Sequence, residues 1–216
     1  RSSDLDAAEA VLAVKSVLVD LNDAAATLPN SYNSVENITP LETPLSSTIN
    51  GAALATPVFL SLYAENDLRL DKYFAETDEK GFRKNKKAGS NNYLCTFRVG
   101  EIYLTAAEAA ARLGELSQAR TRLLELMRKR YAPEAYEAKS VVVNAMDKEA
   151  LVQEILDERA RELAFEGHRW FDLRRSTRPR LEKVLDGTRY VLEENDARYT
   201  LAIPKEAIEA NPGLLN

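Results

Sequence analysis

Glu162 and Glu166 stand one helical turn apart in the segment Ile155-Leu-Asp-Glu-Arg-Ala-Arg-Glu-Leu-Ala-Phe-Glu-Gly-His-Arg-Trp-Phe-Asp-Leu-Arg-Arg175. Two carboxylates at that spacing suit paired acid and base chemistry, or half of a site for a hard metal ion. The charges around them favour a third use. Arg159, Arg161 and Arg169 lie within reach of both, and a neighbouring guanidinium holds a carboxylate ionised. Leu156, Arg159, Ala160 and Leu163 recur at i, i+3, i+4 and i+7, so Arg159 points where an apolar side chain is expected. A charge there needs carboxylate partners and hydrogen bonds. Glu158, Glu162 and Glu166 precede the Glu166-Gly167 turn, and Arg169, Asp172 and Arg174 follow it. The expectation is a structural ion network of Arg159, Glu162, Glu166, Arg169, Asp172 and Arg174 that locks a helical hairpin, with no catalytic residue among them.

Other reactive types give little. His168, the only histidine, stands two residues from Glu166, off the i, i+3 or i, i+4 spacing of helical metal pairs. No Gly-x-Ser-x-Gly, phosphate-cradling glycine loop or cofactor fingerprint is present. Cys95 is alone, which excludes a disulfide framework within these residues and a thiolate metal cluster. The sequence therefore points away from an enzyme, a cofactor and a metal site. Arg83, Lys84, Lys86 and Lys87 form a basic run, read as a solvated loop because the net charge of −5 offers no polyanion surface. Nucleic acid is not an expected partner. No apolar run of about 18 residues marks a membrane span, and no secretion leader is visible. The start at Arg1 rather than Met leads to the expectation of a fragment or a processed product.

The elements that must position these residues read as mainly helical. With 216 residues, 45% of them hydrophobic, one domain of generous size is expected. Residues 4–26 have helical spacing with Asp4 as N-cap, and Leu28-Pro29 stops them. Residues 27–57 are rich in Ser, Thr, Asn and Pro, a candidate binding loop. A short helix is expected over Val58 to Ala64, and a loop or ragged hairpin over Glu76 to Asn92. A helix pair of tetratricopeptide (TPR) type follows. Its first helix buries Val99, Tyr103, Ala106, Ala107, Ala110 and Leu113; Gly114 makes the turn; its second helix, capped by Ser117, buries Ala119, Leu123, Leu126 and Met127. Ala160, Gly167 and Asp172 fall at the matching places of a second pair, where Asp172 replaces the small residue and Arg178-Pro179 cuts the helix short. Arg189 to Leu192 and Tyr199 to Ile203 alternate like strands joined at Glu194 to Ala197, and Pro204 opens a final helical turn. The fold class is mainly α: TPR-like helical hairpins of an alpha-alpha superhelix, with long irregular loops and a short C-terminal β-hairpin. Residues 1–96 are the candidate ligand-binding region and 97–216 carry the hairpins, within one compact unit.

The Ile155–Arg175 string resembles the C-terminal signature of the SusD/RagB family. Phe97-Arg-Val-Gly-Glu-Ile-Tyr-Leu-Thr-Ala-Ala-Glu-Ala109, continuing to Gly114, is similar to the family's preceding helical repeat. Arg198-Tyr-Thr-Leu-Ala-Ile-Pro-Lys-Glu-Ala-Ile-Glu-Ala-Asn-Pro212 is similar to its C-terminal close. Weaker similarity reaches Leu62-Tyr-Ala-Glu-Asn-Asp-Leu-Arg69, while residues 1–60 carry no family motif. The resemblance implies a surface lipoprotein of the outer membrane of Bacteroidetes, its anchor outside these residues. It would capture a glycan or other nutrient oligomer without cleaving it, for a SusC-like TonB-dependent transporter. Tyr32, Tyr63, Tyr73 and Phe82 lie in or beside the irregular segments and are the candidate ligand-binding residues, because amphipathic rings with few rotamers suit a neutral polar ligand. Trp170, although its ring type stacks on sugars, is expected to pack in the signature hairpin. The rival reading is a TPR-type protein-interaction module without carbohydrate binding, since such repeats present a concave surface to peptides. A carboxylate hydrolase would need Glu162 or Glu166 exposed in a cleft.

Overall fold

Leu5, Ala8 and Leu12 are buried along one side of helix α1, Ser2–Val14, the first element of a computed structural model that describes residues 2–43, 54–87, 93–185, 187–211 and 213. Of residues 40–43, 93–96 and 185 only the backbone is described. The described residues fall into two compact units, Arg1–His168 and Arg169–Asn216. In the first, α1 is followed by β1 (Asn37–Thr43), β2 (Leu54–Ala55), α2 (Pro57–Leu60), α3 (Arg69–Tyr73), β3 (Phe74–Thr77), β4 (Arg83–Asn85) and β5 (Tyr93–Arg98). Then come α4 (Val99–Leu113), α5 (Leu116–Met127), α6 (Pro133–Ala145) and α7 (Lys148–Glu162). The residue 96/97 boundary lies inside this unit.

Helix α1 ends twelve residues before the expected stop at residue 26, for a reason outside the local sequence. Side chains from distant segments take the backbone groups of the stretch that follows. Tyr103 donates to the Ser16 carbonyl at 3.1 Å, Arg130 Nη1 to the Val19 carbonyl at 2.6 Å, and the Val19 amide donates to Glu36 at 2.9 Å. Those partners compete with a helical ladder and win. Within the expected irregular stretch 27–57, residues 37–43 form β1, antiparallel to β5, with a register shift between Asn37 and Thr39. Residues 44–53 lie outside the described residues. Strand β4 pairs antiparallel with β2 and β3 in a second small sheet, and Thr56 caps α2 by accepting from the Phe59 amide at 3.2 Å.

The α4–α5 pair forms as the small-residue pattern implies. Val99, Tyr103, Ala106, Ala107, Ala110, Ala119, Leu123, Leu126 and Met127 are buried together. Gly114 turns the chain at φ 90°, in the left-handed region that only glycine enters without strain. Two details differ. Leu113 is 41% exposed, and Ser117 lies inside α5, whose N-cap Glu115 makes no side-chain hydrogen bond. Helix α6, unanticipated, starts with Pro133 in its first turn and packs on α5. Asp147 caps α7 by accepting from the Ala150 amide at 2.9 Å.

The second unit holds α8 (Arg169–Arg175), a hairpin of β6 (Leu181–Leu185) and β7 (Thr188–Leu192), a 3₁₀ turn at Ala197–Tyr199, and α9 (Lys205–Ala210). A C-terminal hairpin is present, but its strands differ from the expected pair. Leu185 pairs with Thr188 across Gly187, which has φ 76°; the sequence Asp186-Gly187 is the two-residue hairpin signal. Asp196 accepts from the Arg198 amide at 2.8 Å and starts the 3₁₀ turn where a second strand was expected.

Candidate functional site

Helix α7 presents Glu158 and Glu162 on one face, and the turn after it presents Glu166; all three side chains are sealed from solvent. Their partners come from elsewhere in the first unit. Arg98, at the end of β5, makes a two-toothed bond to Glu166 with Nε and Nη2 at 2.9 Å each, and its Nη1 reaches Glu162 at 2.6 Å. Arg130, after α5, grips both oxygens of Glu162 at 2.9 and 3.0 Å and Glu36 at 2.5 Å. Arg69, opening α3, reaches Glu158 at 2.7 Å and Glu162 at 3.1 Å, and makes a two-toothed bond to Asp67. Arg161 bonds Glu158 at 2.8 Å, and Lys87 Nζ bonds Glu166. Arg69, Lys87, Arg98, Arg130 and Arg161 thus face Glu36, Asp67, Glu158, Glu162 and Glu166. Five buried cations meet five buried carboxylates, and the formal charge cancels.

That balance sets the protonation states. Burial alone would raise Glu162, but Arg130, Arg98 and Arg69 outweigh it and hold the carboxyl well below the usual range. Burial likewise opposes ionisation of Glu158 and Glu166, and Arg69 with Arg161, and Arg98 with Lys87, overcome it. Burial draws the Lys87 ammonium down to about 8 against the pull of Glu166. Ionised carboxylates locked in two-toothed bonds have no proton to give and no lone pair free to take one. What the arrangement does is hold six chain segments together.

Local backbone geometry is built around the same groups. The end of α7 leaves carbonyls unpaired, and cations take them: Arg98 Nη2 donates to Glu162 O at 2.9 Å, and Lys87 Nζ to Glu162 O at 2.9 Å and Ala164 O at 3.1 Å. The turn that aims Glu166 inward passes through Phe165 at φ 62°, a conformation costing a non-glycine residue about 1–3 kcal/mol. Aromatic packing holds it, with Phe165 edge-on to Phe74 at 6.0 Å and Phe74 edge-on to Tyr63 at 5.3 Å. Gly100 sits where a Cβ would meet Arg98 Nη1 at 2.6 Å and Glu36 at 3.0 Å.

The four candidate ligand aromatics separate into two kinds. Tyr63, 7% exposed, donates to the Arg161 carbonyl at 2.8 Å and lies under Arg69 at 5.9 Å. Tyr73 is fully buried, with the Lys87 ammonium 4.3 Å from its ring centre. Both rings therefore line the ion network. Tyr32 is 51% exposed and Phe82 is partly exposed. Arg159 is buried and turns toward α4, 3.8 Å from Glu101 and 3.4 Å from Thr105. His168 Nδ1 lies 3.4 Å from the same Glu101. In the second unit Arg169 is exposed, Arg174 is half-buried, and buried Asp172 pairs with Arg175 at 2.7 Å. Trp170 stacks on Tyr199 at 5.2 Å.

The family model for the SusD family matches residues 53–216. The chain belongs to the SusD family. Three solved structures of the SusD fold align with it. A SusD superfamily protein from Bacteroides fragilis has a TM-score of 0.71 at 22% identity, over 96% of this chain and 51% of that one. A SusD superfamily protein from Bacteroides vulgatus ATCC 8482 gives 0.67 at 20% identity, over 94% and 51%. A SusD-like carbohydrate binding protein from the same organism gives 0.62 at 16% identity, over 96% and 54%. The chain spans about half the length of these structures. Comparison with curated proteins finds no match. Glu158, Glu162, Glu166, Arg69, Lys87, Arg98 and Arg130 all fall inside the SusD match, and Glu36 precedes it. Among the described residues, no helix is long and apolar enough to cross a membrane.

Lys87 corrects the reading of residues 83–87 as a solvated loop: it is 3% exposed and bonds Glu166 within the ion network. Arg69, Arg98 and Arg130 were missed as members of the network. Arg69 and Arg98 had a visible signal, each standing alone between apolar neighbours. Arg130, in the run Arg128-Lys129-Arg130, had none.

Proposed function

We propose that this protein binds a nutrient oligomer, foremost a glycan, at the bacterial cell surface without cleaving it, and delivers it to a SusC-like TonB-dependent outer-membrane transporter. The supporting observation is the sealing of Glu158, Glu162 and Glu166 against Arg69, Arg98, Arg130, Arg161 and Lys87. The acidic pair that a hydrolase would need is committed to architecture. Membership of the SusD family, and a solved relative described as a carbohydrate binding protein, support the ligand class. In this reading the protein is a surface lipoprotein of the outer membrane. Residues 1–96 supply one set of ligand contacts on the same reading, and 97–216 form the scaffold that carries it. It further has Tyr32 and Phe82, the more exposed of the four aromatic candidates, touch ligand, and Tyr63 and Tyr73 act behind them.

The test is isothermal titration of the full-length protein with a panel of oligosaccharides, paired with affinity purification from outer membranes. Saturable binding to at least one glycan and recovery of a TonB-dependent transporter are expected. No heat with any glycan would overturn nutrient capture. Recovery of a soluble protein with no transporter would favour the TPR-type interaction module.

A further inference from the structure

A cleft of about 440 Å³ opens in the first unit, lined by none of the ten charged side chains of the ion network. One wall is a stripe of α5: Thr121, Leu124, Glu125 and Arg128 recur at i, i+3, i+4 and i+7, so all four point the same way. Tyr103 of α4 and Tyr136 of α6 flank the stripe, and Ser16 and Leu18 close the far side. The walls are fixed to one another. Tyr103 bonds the Ser16 carbonyl, Lys129 Nζ bonds Asp20 at 2.8 Å, and the Leu21 amide bonds the Lys129 carbonyl at 2.9 Å.

The chemistry of the lining selects the ligand class. A guanidinium lies over each ring, Arg128 at 5.2 Å from the centre of Tyr136 and Arg122 at 5.9 Å from that of Tyr103. A stacked guanidinium keeps its N–H donors in plane and directed outward. Arg128 makes no ion pair among the described residues, so those donors are available. Acceptors stand beside them. Glu125 lines the cleft and receives Arg122 on Oε2 at 2.9 Å, which leaves its carboxylate further acceptor capacity, and the Thr121 hydroxyl gives its proton to the Ser117 carbonyl, leaving its oxygen as an acceptor. Donors and acceptors side by side over aromatic and aliphatic surface match vicinal hydroxyls on a ring with apolar faces. An anion is disfavoured, because Glu125 lines the cleft and Asp20 already neutralises Lys129. A wholly apolar ligand would strip water from Glu125 and Arg128 without replacing their hydrogen bonds. The volume lies within the range of about 300–1,000 Å³ typical of small-ligand sites.

We infer that this cleft is a binding subsite for a neutral saccharide, with Tyr136 and Arg128 as its platform and Glu125 as its hydroxyl acceptor. The inference rests on the glycan reading above, and it assigns a surface that includes neither Tyr32 nor Phe82. The experiment is calorimetric titration of the full-length protein with neutral hexasaccharides of glucose, mannose, xylose and galactose, for wild type, Tyr136→Ala, Arg128→Gln and Glu125→Gln. For a hexasaccharide that wild type binds, affinity should fall about tenfold in Tyr136→Ala and about threefold or more in the other two. The melting temperatures of Arg128→Gln and Glu125→Gln, both on the surface, should stay within about 2 °C of wild type. Unchanged affinity in Arg128→Gln and Glu125→Gln overturns the cleft and leaves glycan capture standing, even if Tyr136→Ala unfolds. Failure of wild type to bind any of the four overturns the glycan reading and this inference with it.

Discussion

Glu162 is the residue on which the most cations converge: Arg69, Arg98 and Arg130 all bond its carboxylate in the absence of solvent. Replacing it with Gln keeps the shape and removes the charge, leaving three guanidinium groups facing too few carboxylates. Removing one partner of a buried pair typically costs about 3–5 kcal/mol, so urea unfolding of Glu162→Gln should show a loss of that size. Gly100 gives a second test. Alanine is the better helix former by about 1 kcal/mol, yet a Cβ here would sit 2.6 Å from Arg98 and 3.2 Å from Glu162. Gly100→Ala should therefore lower stability by roughly 1–3 kcal/mol, the usual cost of overpacking, measured by the same titration. Glu158, Glu162 and Glu166 were legible in the sequence because helical spacing orders them along α7 and the turn after it, whereas Glu36 and Asp67 stand far from that segment. The pairing of the three with distant cations was not. Arg98 and Glu162 are 64 positions apart, and no periodicity connects a strand end to a helix face. Lys87 was misread because a run of basic residues looks the same whether its last member points outward or inward.

Among the elements, those governed by local rules were the ones the sequence revealed. The α4–α5 hairpin follows from small residues at the crossing and a glycine at the turn. A Cβ added at Gly114 would meet nothing within 4 Å, but the residue has a φ of 90°, so Gly114→Ala should cost about 1–2 kcal/mol through backbone strain alone. A thermal melt of this variant, set beside Gly100→Ala, separates strain from crowding, since only the second disturbs Arg98. Elements decided by distant partners were misjudged. Residues 15–21 keep helical spacing but give their carbonyls to Tyr103 and Arg130. Strand β1 is specified by β5, more than fifty residues later in the chain. The hairpin of β6 and β7 follows a strong local signal, Asp186-Gly187, whereas the alternating residues 199–203 form no strand.

At the scale of the whole first unit, the network makes stability depend on acid in a defined direction. Glu158, Glu162 and Glu166 have folded values below their usual 4.5. In the unfolded chain they take up protons first as the pH falls. Their contribution is complete above about pH 4.5 and is lost as the pH drops through the folded values. Far-ultraviolet circular dichroism between pH 7 and 2 should show a cooperative acid transition, shifted to higher pH in Glu162→Gln; a flat signal down to pH 2 in that variant would count against the network. The same charges bear on how this chain can be divided. Glu36, Arg69 and Lys87 lie before residue 97, and Arg98, Arg130, Glu162 and Glu166 after it. A polypeptide beginning at residue 97 keeps every long helix of the TPR-like layer yet strands Glu158 and Glu166 beside missing cations, and should remain unfolded by circular dichroism. For genes that exchange segments, this places a constraint on where a crossover is tolerated: a junction between codons 36 and 166 joins acids from one parent to bases from another, and the offspring inherits a working interior only if both parents solved the same charge arrangement.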